Sequence, residues 1–328
     1  MQKIRFLIIR FSSIGDIVLT TPVVRCLKNQ VEGAEVHYLT KPSFRKILEN
    51  NPSIDKVHVL KQSLADTIHQ LKYEHFDYII DLHKNLRSYR VKNKLKVISF
   101  SFDKLNKEKW LLVNFKKNKL PDVHIVDRYL ETLSVFDVQN DKQGLDYFIP
   151  PEDEVDLESI SKDLETGYVG VVVGAYHNTK KLPLAKIISI GQKIDKPIVL
   201  LGGPADREDA EKIKQAVGHT VYNACGKYNI NQSASLVKQA NVILTPDTGL
   251  MHIASAFKKK IVSVWGNTIP EFGMYPYLPH PQSEIMEIKG LKCRPCTKIG
   301  FSRCPKKHFR CMLDLDNELI VRKIKELY

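Results

Sequence analysis

Three short stretches of this 328-residue chain set a carboxylate or a lysine beside small residues at the end of an apolar run. FSSIGD (11–16) ends in Asp16, GAYHNTKKLP (174–183) carries Thr179, Lys180 and Lys181, and TPDTGLMHIA (245–254) places Asp247, Thr248 and Gly249 ahead of His252. A carboxylate ionised at neutral pH can take a proton from an attacking hydroxyl. A lysine held on a loop neutralises phosphate as a compact point charge. The free N–H groups of a helix start favour an anion, and a glycine there lets a diphosphate approach the backbone. Together these residues would set a carboxylate able to deprotonate a hydroxyl across from a diphosphate site. Simpler roles compete: Asp247 can cap its helix, and spacing does not separate Lys180 from Lys181. In LLGGPADRED (200–209), Asp206 and Glu208 suit a ribose hydroxyl or a first helical turn equally well. Thr21-Pro22 supplies a second helix start that would interrupt a helix begun at 16, leaving Asp16 freer to point into a cleft than a cap would be.

Stretches like these need strand ends to hold them, and the chain supplies strands alternating with helices. Apolar runs at 3–11, 35–40, 56–60, 76–82 and 96–102 read as strands, with helical periodicity at 23–30, 43–50 and 64–73. The proline-led, acidic segment at 150–159 reads as a linker. The alternation then restarts, with strands at 168–175, 197–203, 241–247 and 260–267 and helices near 184–195, 206–217, 231–239 and 248–257. The expected fold is α/β, two doubly wound parallel-sheet domains, 1–150 and 151–328, with a ligand cleft between the carboxyl ends of their strands. The helical tail at 315–327 is expected to pack back across the first domain. The first βα turn lacks both the three-glycine dinucleotide fingerprint and the Gly-Lys-Ser/Thr of a P-loop, which argues against a nucleotide-sugar dehydrogenase or epimerase.

The net charge is +13 and it is localised. Between Lys84 and Lys119 there are only two acidic residues, Asp103 and Glu108, and between Lys289 and Arg310 there is none. Such clusters suit an anionic partner. Tyr89, Trp110 and Phe115 are too irregularly placed among the lysines for a base-stacking platform, so nucleic acid is not the expected partner. No apolar run approaches the roughly 20 residues of a membrane span, and a strand begins too early for a signal peptide, so a cytoplasmic location is expected. Cys293, Cys296, Cys304 and Cys311, with His308 among them, have spacing compatible with a structural zinc site or with reduced thiols on a loop. Cys26 and Cys225 read as buried packing residues.

FSSIGDIVLTTP, DLHKNLRS (81–88), TKKLP, LLGGPADRE, PDTGLMHIASA (246–256) and WGNT (265–268) occur in that order. Together they resemble the family-9 glycosyltransferases, bacterial ADP-heptose:lipopolysaccharide heptosyltransferases, from Ile4 to about Cys311. The resemblance implies the two-domain GT-B fold and an inverting transfer from ADP-heptose to the Kdo/heptose inner core on lipid A. On that basis Asp16 is the base and Lys180 offsets charge on the departing diphosphate. Thr179, Asp206, Asp247, Thr248, Gly249, Leu250, His252, Asn267 and Thr268 bind the donor, with Asp206 near the ribose, Asp247 on heptose hydroxyls and the amides of 248–250 on phosphate. Ser13, Gly15, Lys84 and Arg87 bind the acceptor. Leu182 stands where the family usually has tryptophan, so the packing there differs. No catalytic metal or other cofactor is implied, and Asp314-Leu315-Asp316 lies away from every expected strand end. Similar cysteine-rich loops occur in some family members. Work on such an acceptor implies a peripheral position at the cytoplasmic face of the inner membrane. A related glycosyltransferase with another sugar or acceptor is the alternative.

Overall fold

The computed structural model describes residues 3–218 and 220–328. The chain forms two compact units, Met1–Lys104 with Val123–Phe148, and Leu105–Asp122 with Ile149–Tyr328.

The first unit is built on β1 (Ile4–Ile9), β2 (Ala34–Thr40), β3 (Lys56–Val59), β4 (Tyr78–Asp81) and β5 (Ile98–Ser101), all parallel in the order β3-β2-β1-β4-β5. Phe6 to Ile9 are completely buried, as a central parallel strand covered on both faces requires. The helices are α1 (Ile14–Val18), α2 (Thr21–Gln30), α3 (Leu64–Lys72), α4 (Leu86–Leu95) and α6 (Ile125–Leu130); α5 (Asn106–Phe115) intervenes in sequence and belongs to the second unit. Strand order reverses between β1 and β4, so their carboxyl ends mark a topological switch point, the usual ligand position in open α/β sheets.

The second sheet holds β6 (Val169–Val172), β7 (Ile198–Leu201), β8 (Val221–Asn223), β9 (Val242–Pro246), β10 (Lys260–Trp265) and β11 (Glu284–Glu287), all parallel in the order β11-β10-β9-β6-β7-β8. Its switch point lies between β6 and β9. β8 and β11, which have no counterpart in the sequence reading, are short outer strands without a sustained apolar run. The helices of this unit are α5, α7 (Leu184–Gly191), α8 (Arg207–Val217), α9 (Ile230–Gln239), α10 (Gly249–Ala256), α11 (Arg310–Leu313) and α12 (Asn317–Leu327).

Two expectations about organisation change. Helix α12 inserts Ile320, Val321, Ile324 and Leu327 into the core of the second unit beside Met312 and Leu315, so its apolar stripe is used there and not across the first domain. A single boundary at 150 also leaves 105–122 in the first domain, whereas Leu112 of α5 packs with Ile269 and Phe272 of the second unit. Among the described residues no helix is long and apolar enough to cross a membrane.

Candidate active site

In the first unit the chain leaves β1 at Arg10, which is 8% exposed. Its guanidinium donates from Nε to the Ser12 carbonyl (2.8 Å) and from Nη1 to the Leu82 carbonyl (2.5 Å) and the Tyr129 hydroxyl (2.9 Å). Nη2 pairs with Asp16 Oδ1 at 2.6 Å. Burial works against the Arg10 charge, but Asp16 beside it prevails and holds the guanidinium above its ordinary range. Asp16 Oδ2 accepts from the Ser13 N–H (3.1 Å) and the Ser13 hydroxyl (2.7 Å). The expectation that Asp16 is no capping residue is therefore corrected. Helix starts at 14 and 21 are both used, because α1 is only five residues long and ends before Pro22 can interrupt it. Asp16 stands at the third position of α1 and closes back onto Ser13, the capping-box geometry. Its side chain is 21% exposed.

At the adjoining end of β4, buried Asp81 organises the next turn. Its Oδ1 accepts from the N–H groups of His83 and Lys84, and Oδ2 from the Ser88 hydroxyl. The His83 ring lies 4.8 Å from that of Phe11, and Arg87 places its guanidinium 5.9 Å over the same Phe11 ring. Arg87 thus stands beside the turn that holds Asp16. Lys84 is exposed, but its Nζ donates to the Phe102 carbonyl at 2.9 Å, so it is turned toward β5.

In the second unit the loops after β6, β9 and β10 converge. Lys180 Nζ pairs with Asp247 Oδ2 at 2.6 Å, and the Thr268 hydroxyl donates to the same oxygen at 3.0 Å. Asp247 precedes Thr248, the N-cap of α10, and Thr248 makes no side-chain cap hydrogen bond. The first N–H groups of α10, from Gly249 and Leu250, therefore have no side-chain cap beside the Lys180–Asp247 pair. Both polar ends of the Asn267 carboxamide are buried without a hydrogen-bond partner among the described residues, the kind of group that polar ligands or water satisfy. Gly266 permits this convergence: a Cβ there would stand 2.8 Å from Met312 Cε and 2.9 Å from the Thr179 carbonyl oxygen.

Three further residues expected at the donor site are buried in the structure. Thr179 is buried and its hydroxyl exchanges hydrogen bonds with the Phe301 backbone. Asp206 is 8% exposed; Oδ1 pairs with Lys181 at 2.6 Å and Oδ2 accepts from the Gly203 N–H at 3.0 Å. This pairing separates the two lysines that spacing left equivalent. His252 is 2% exposed on the inner side of α10. Sequence reasoning missed Arg10, His83 and Arg294. Arg10 was legible as a charge inside an apolar run; Arg294, which ties the Thr268 carbonyl to Glu287, left no such signal.

The four loop cysteines are not disulfide-bonded. Burial pushes the Cys296 thiol up to about 11 and the Cys311 thiol up to about 12, and the other cysteines of the loop add to both shifts. Cys293 Sγ lies 3.7 Å from His308 Nε2, while the Cys296 thiol turns to the Cys293 carbonyl. Among the described residues, the group whose metal-binding atoms lie within 4.8 Å of one another is His37, His58 and Glu74, at the β2–β3 edge. There His37 is already hydrogen-bonded to His58 at 2.9 Å and to Glu35 at 3.0 Å.

Residues 64–304 match the model of glycosyltransferase family 9 (heptosyltransferase). Lipooligosaccharide heptosyltransferase 2 of Haemophilus influenzae is 24% identical in an alignment spanning 98% of both chains. Among solved structures, the glycosyl transferase family 9 protein from Veillonella parvula superposes with a TM-score of 0.77 at 19% identity, covering 98% of this chain and 96% of the other. Escherichia coli ADP-heptose lps heptosyltransferase II gives 0.74 at 17% identity, covering 99% and 98%. These neighbours share the pair of parallel-sheet α/β domains, and the family model spans well over half of the sequence. The chain therefore belongs to glycosyltransferase family 9, the heptosyltransferases, and is a glycosyltransferase.

Proposed function

We propose that this enzyme transfers heptose from ADP-heptose to the Kdo/heptose inner core of lipopolysaccharide on lipid A, inverting the anomeric centre. The observation that carries this reading is the cluster of Lys180, Asp247 and Thr268 beside the start of α10, in a chain whose relatives are named as heptosyltransferases. The diphosphate accepts from the amides of Gly249 and Leu250 and competes with Asp247 for Lys180. Asp247, released in part, turns to the heptose hydroxyls, with Asn267 and Thr268 alongside.

Asp16 takes the proton of the acceptor hydroxyl as that oxygen bonds to the anomeric carbon, and ADP leaves with the electron pair of the broken bond. Arg10 and Ser13 fix the carboxylate for that task. Gly15 keeps the turn compact, and Arg87 meets acidic groups of the acceptor. Lys180 and the start of α10 counter the charge that develops on ADP, the largest catalytic contribution expected of a preorganised site. These residues suffice for the displacement without a catalytic metal. No zinc is assigned to the loop of Cys293, Cys296, Cys304 and Cys311, because among the described residues their sulfurs do not come together as one metal-binding group. The enzyme is assigned to the cytoplasmic face of the inner membrane, where a lipid-anchored acceptor is presented.

The test is acceptor-dependent ADP release from ADP-heptose with Kdo–lipid A, EDTA present, comparing wild type with Asp16→Asn. Turnover in wild type that drops by about 10³-fold in the variant, with ADP-heptose binding intact, is expected for loss of the base. Undiminished turnover in Asp16→Asn would remove Asp16 from the chemistry. Absence of any ADP-heptose binding by the wild type would remove the donor assignment.

A further inference from the structure

Helix α5 leaves two large aromatic side chains in water. Trp110 is 56% and Phe115 57% exposed, and their rings meet edge-on at 5.2 Å. The buried residue of this helix is Leu112, so the aromatic pair lies outside the core. Lys107, Lys117 and Lys119 are exposed around it, and Glu108 is the one acidic residue between Leu105 and Leu120.

The second basic cluster lies against the same helix. Lys116 Nζ donates to the carbonyls of Val113 and Pro295, both at 2.7 Å, and Lys298 Nζ reaches Asn106 Oδ1 at 3.4 Å. This holds the acid-free loop 289–310 beside α5, and that loop exposes Ile299 (56%) and Phe301 (40%). Two basic segments far apart in sequence thus bring exposed apolar side chains and lysines together in one unit.

Aromatic and aliphatic groups set among lysines match a lipid headgroup layer, where the rings enter the interface and the ammonium groups meet anionic lipids. A nucleic-acid surface would present flat ring faces along a groove, whereas Trp110 turns its ring toward Phe115.

We propose that α5 and the adjoining 289–310 loop form a docking surface for an anionic phospholipid bilayer, with Trp110 and Phe115 entering the headgroup layer. The choice of a bilayer rests on the reading that the acceptor is lipid-anchored.

The protein carries its own probe, because the other tryptophan, Trp265, is 1% exposed. Adding vesicles of phosphatidylethanolamine and phosphatidylglycerol should shift tryptophan emission to the blue and bring the protein down on sedimentation. Phosphatidylcholine vesicles should do neither, and molar salt should reverse the effect. Vesicle partitioning should fall about tenfold or more in Lys107→Ser/Lys117→Ser, at a cost of roughly one headgroup interaction per lysine, and similarly in Trp110→Ser/Phe115→Ser by sedimentation. Turnover on a delipidated acceptor should be unchanged in both variants.

The inference is overturned if emission and sedimentation ignore anionic vesicles, if both variants bind as wild type does, or if a single-stranded oligonucleotide perturbs Trp110 while vesicles do not. Turnover from ADP-heptose without vesicle binding defeats the docking surface alone. Vesicle binding by a wild type that binds no ADP-heptose supports the docking surface and defeats the donor assignment.

Discussion

At the scale of single residues, the structure divides two neighbouring lysines between two jobs. Lys180 pairs with Asp247 beside the uncapped start of α10, whereas Lys181 pairs with buried Asp206. Lys180→Ala should lower kcat by about 10²–10³-fold, the usual cost of one preorganised charge-stabilising group, as well as destabilising by about 3 kcal/mol because it leaves the Asp247 carboxylate unpaired. Lys181→Ala should destabilise by a similar amount through Asp206 but leave kcat nearly unchanged. Steady-state kinetics and unfolding curves on the two variants test the division, and equal kinetic defects would undo it. His83 makes a second prediction. Burial, helped by Arg10 and Lys104, lowers its pKa from the ordinary value near 6.5 to about 4. The unfolded chain therefore takes up this proton first as the pH falls, so stability drops from about pH 6.5 down to about pH 4 and this contribution then levels off. His83→Gln should show a smaller loss of denaturation midpoint between about pH 7 and pH 5 than wild type does; parallel losses would refute the assignment.

At the scale of elements, the important contacts join loops that follow different strands. Asp206 bridges the loop after β6, through Lys181, to the glycine pair after β7. Gly174 makes room for it, since a Cβ there would stand 2.1 Å from Asp206 Oδ2. Gly174→Ala should displace that carboxylate and destabilise by about 1–3 kcal/mol, the range for an overpacked site, and should weaken the anchoring of Lys181. Chemical denaturation measures the first effect, and an unchanged midpoint would mean that the loop yields freely. In the first unit, α1 carries Asp16 at a position set by Ser13 and Arg10. Pro22, expected both to start a helix and to interrupt one begun at 16, starts α2 as expected but interrupts nothing, because α1 ends at Val18.

At the scale of the molecule, residues 105–122 are a first-half segment that packs in the second unit. Leu112 is the buried anchor of α5 against Ile269 and Phe272. Leu112→Ala should destabilise the second unit by about 2–5 kcal/mol, as other leucine truncations in cores do. Because the chain has two units, unfolding should be followed by a probe local to the second, and Trp265 fluorescence in a Trp110→Phe background serves. A Trp265 transition unmoved by the substitution would show that α5 contributes nothing to that core.

The sequence by itself determined the parallel α/β class, the membership of family 9, and the strand ends at which charged residues collect. These follow from local rules: apolar runs of strand length, glycine and proline punctuation, and motifs that recur in order. Asp16 and Asp247 were legible as candidates because a charge just past an apolar strand stands out. Tertiary structure alone decided which of these charges meet. Nothing in TKKLP distinguishes a lysine facing Asp247 from one facing Asp206, and nothing in the local pattern hides Thr179 beneath the Phe301 backbone. It also decided where α5 and α12 pack, because an amphipathic helix specifies that one face is buried but not which core receives it.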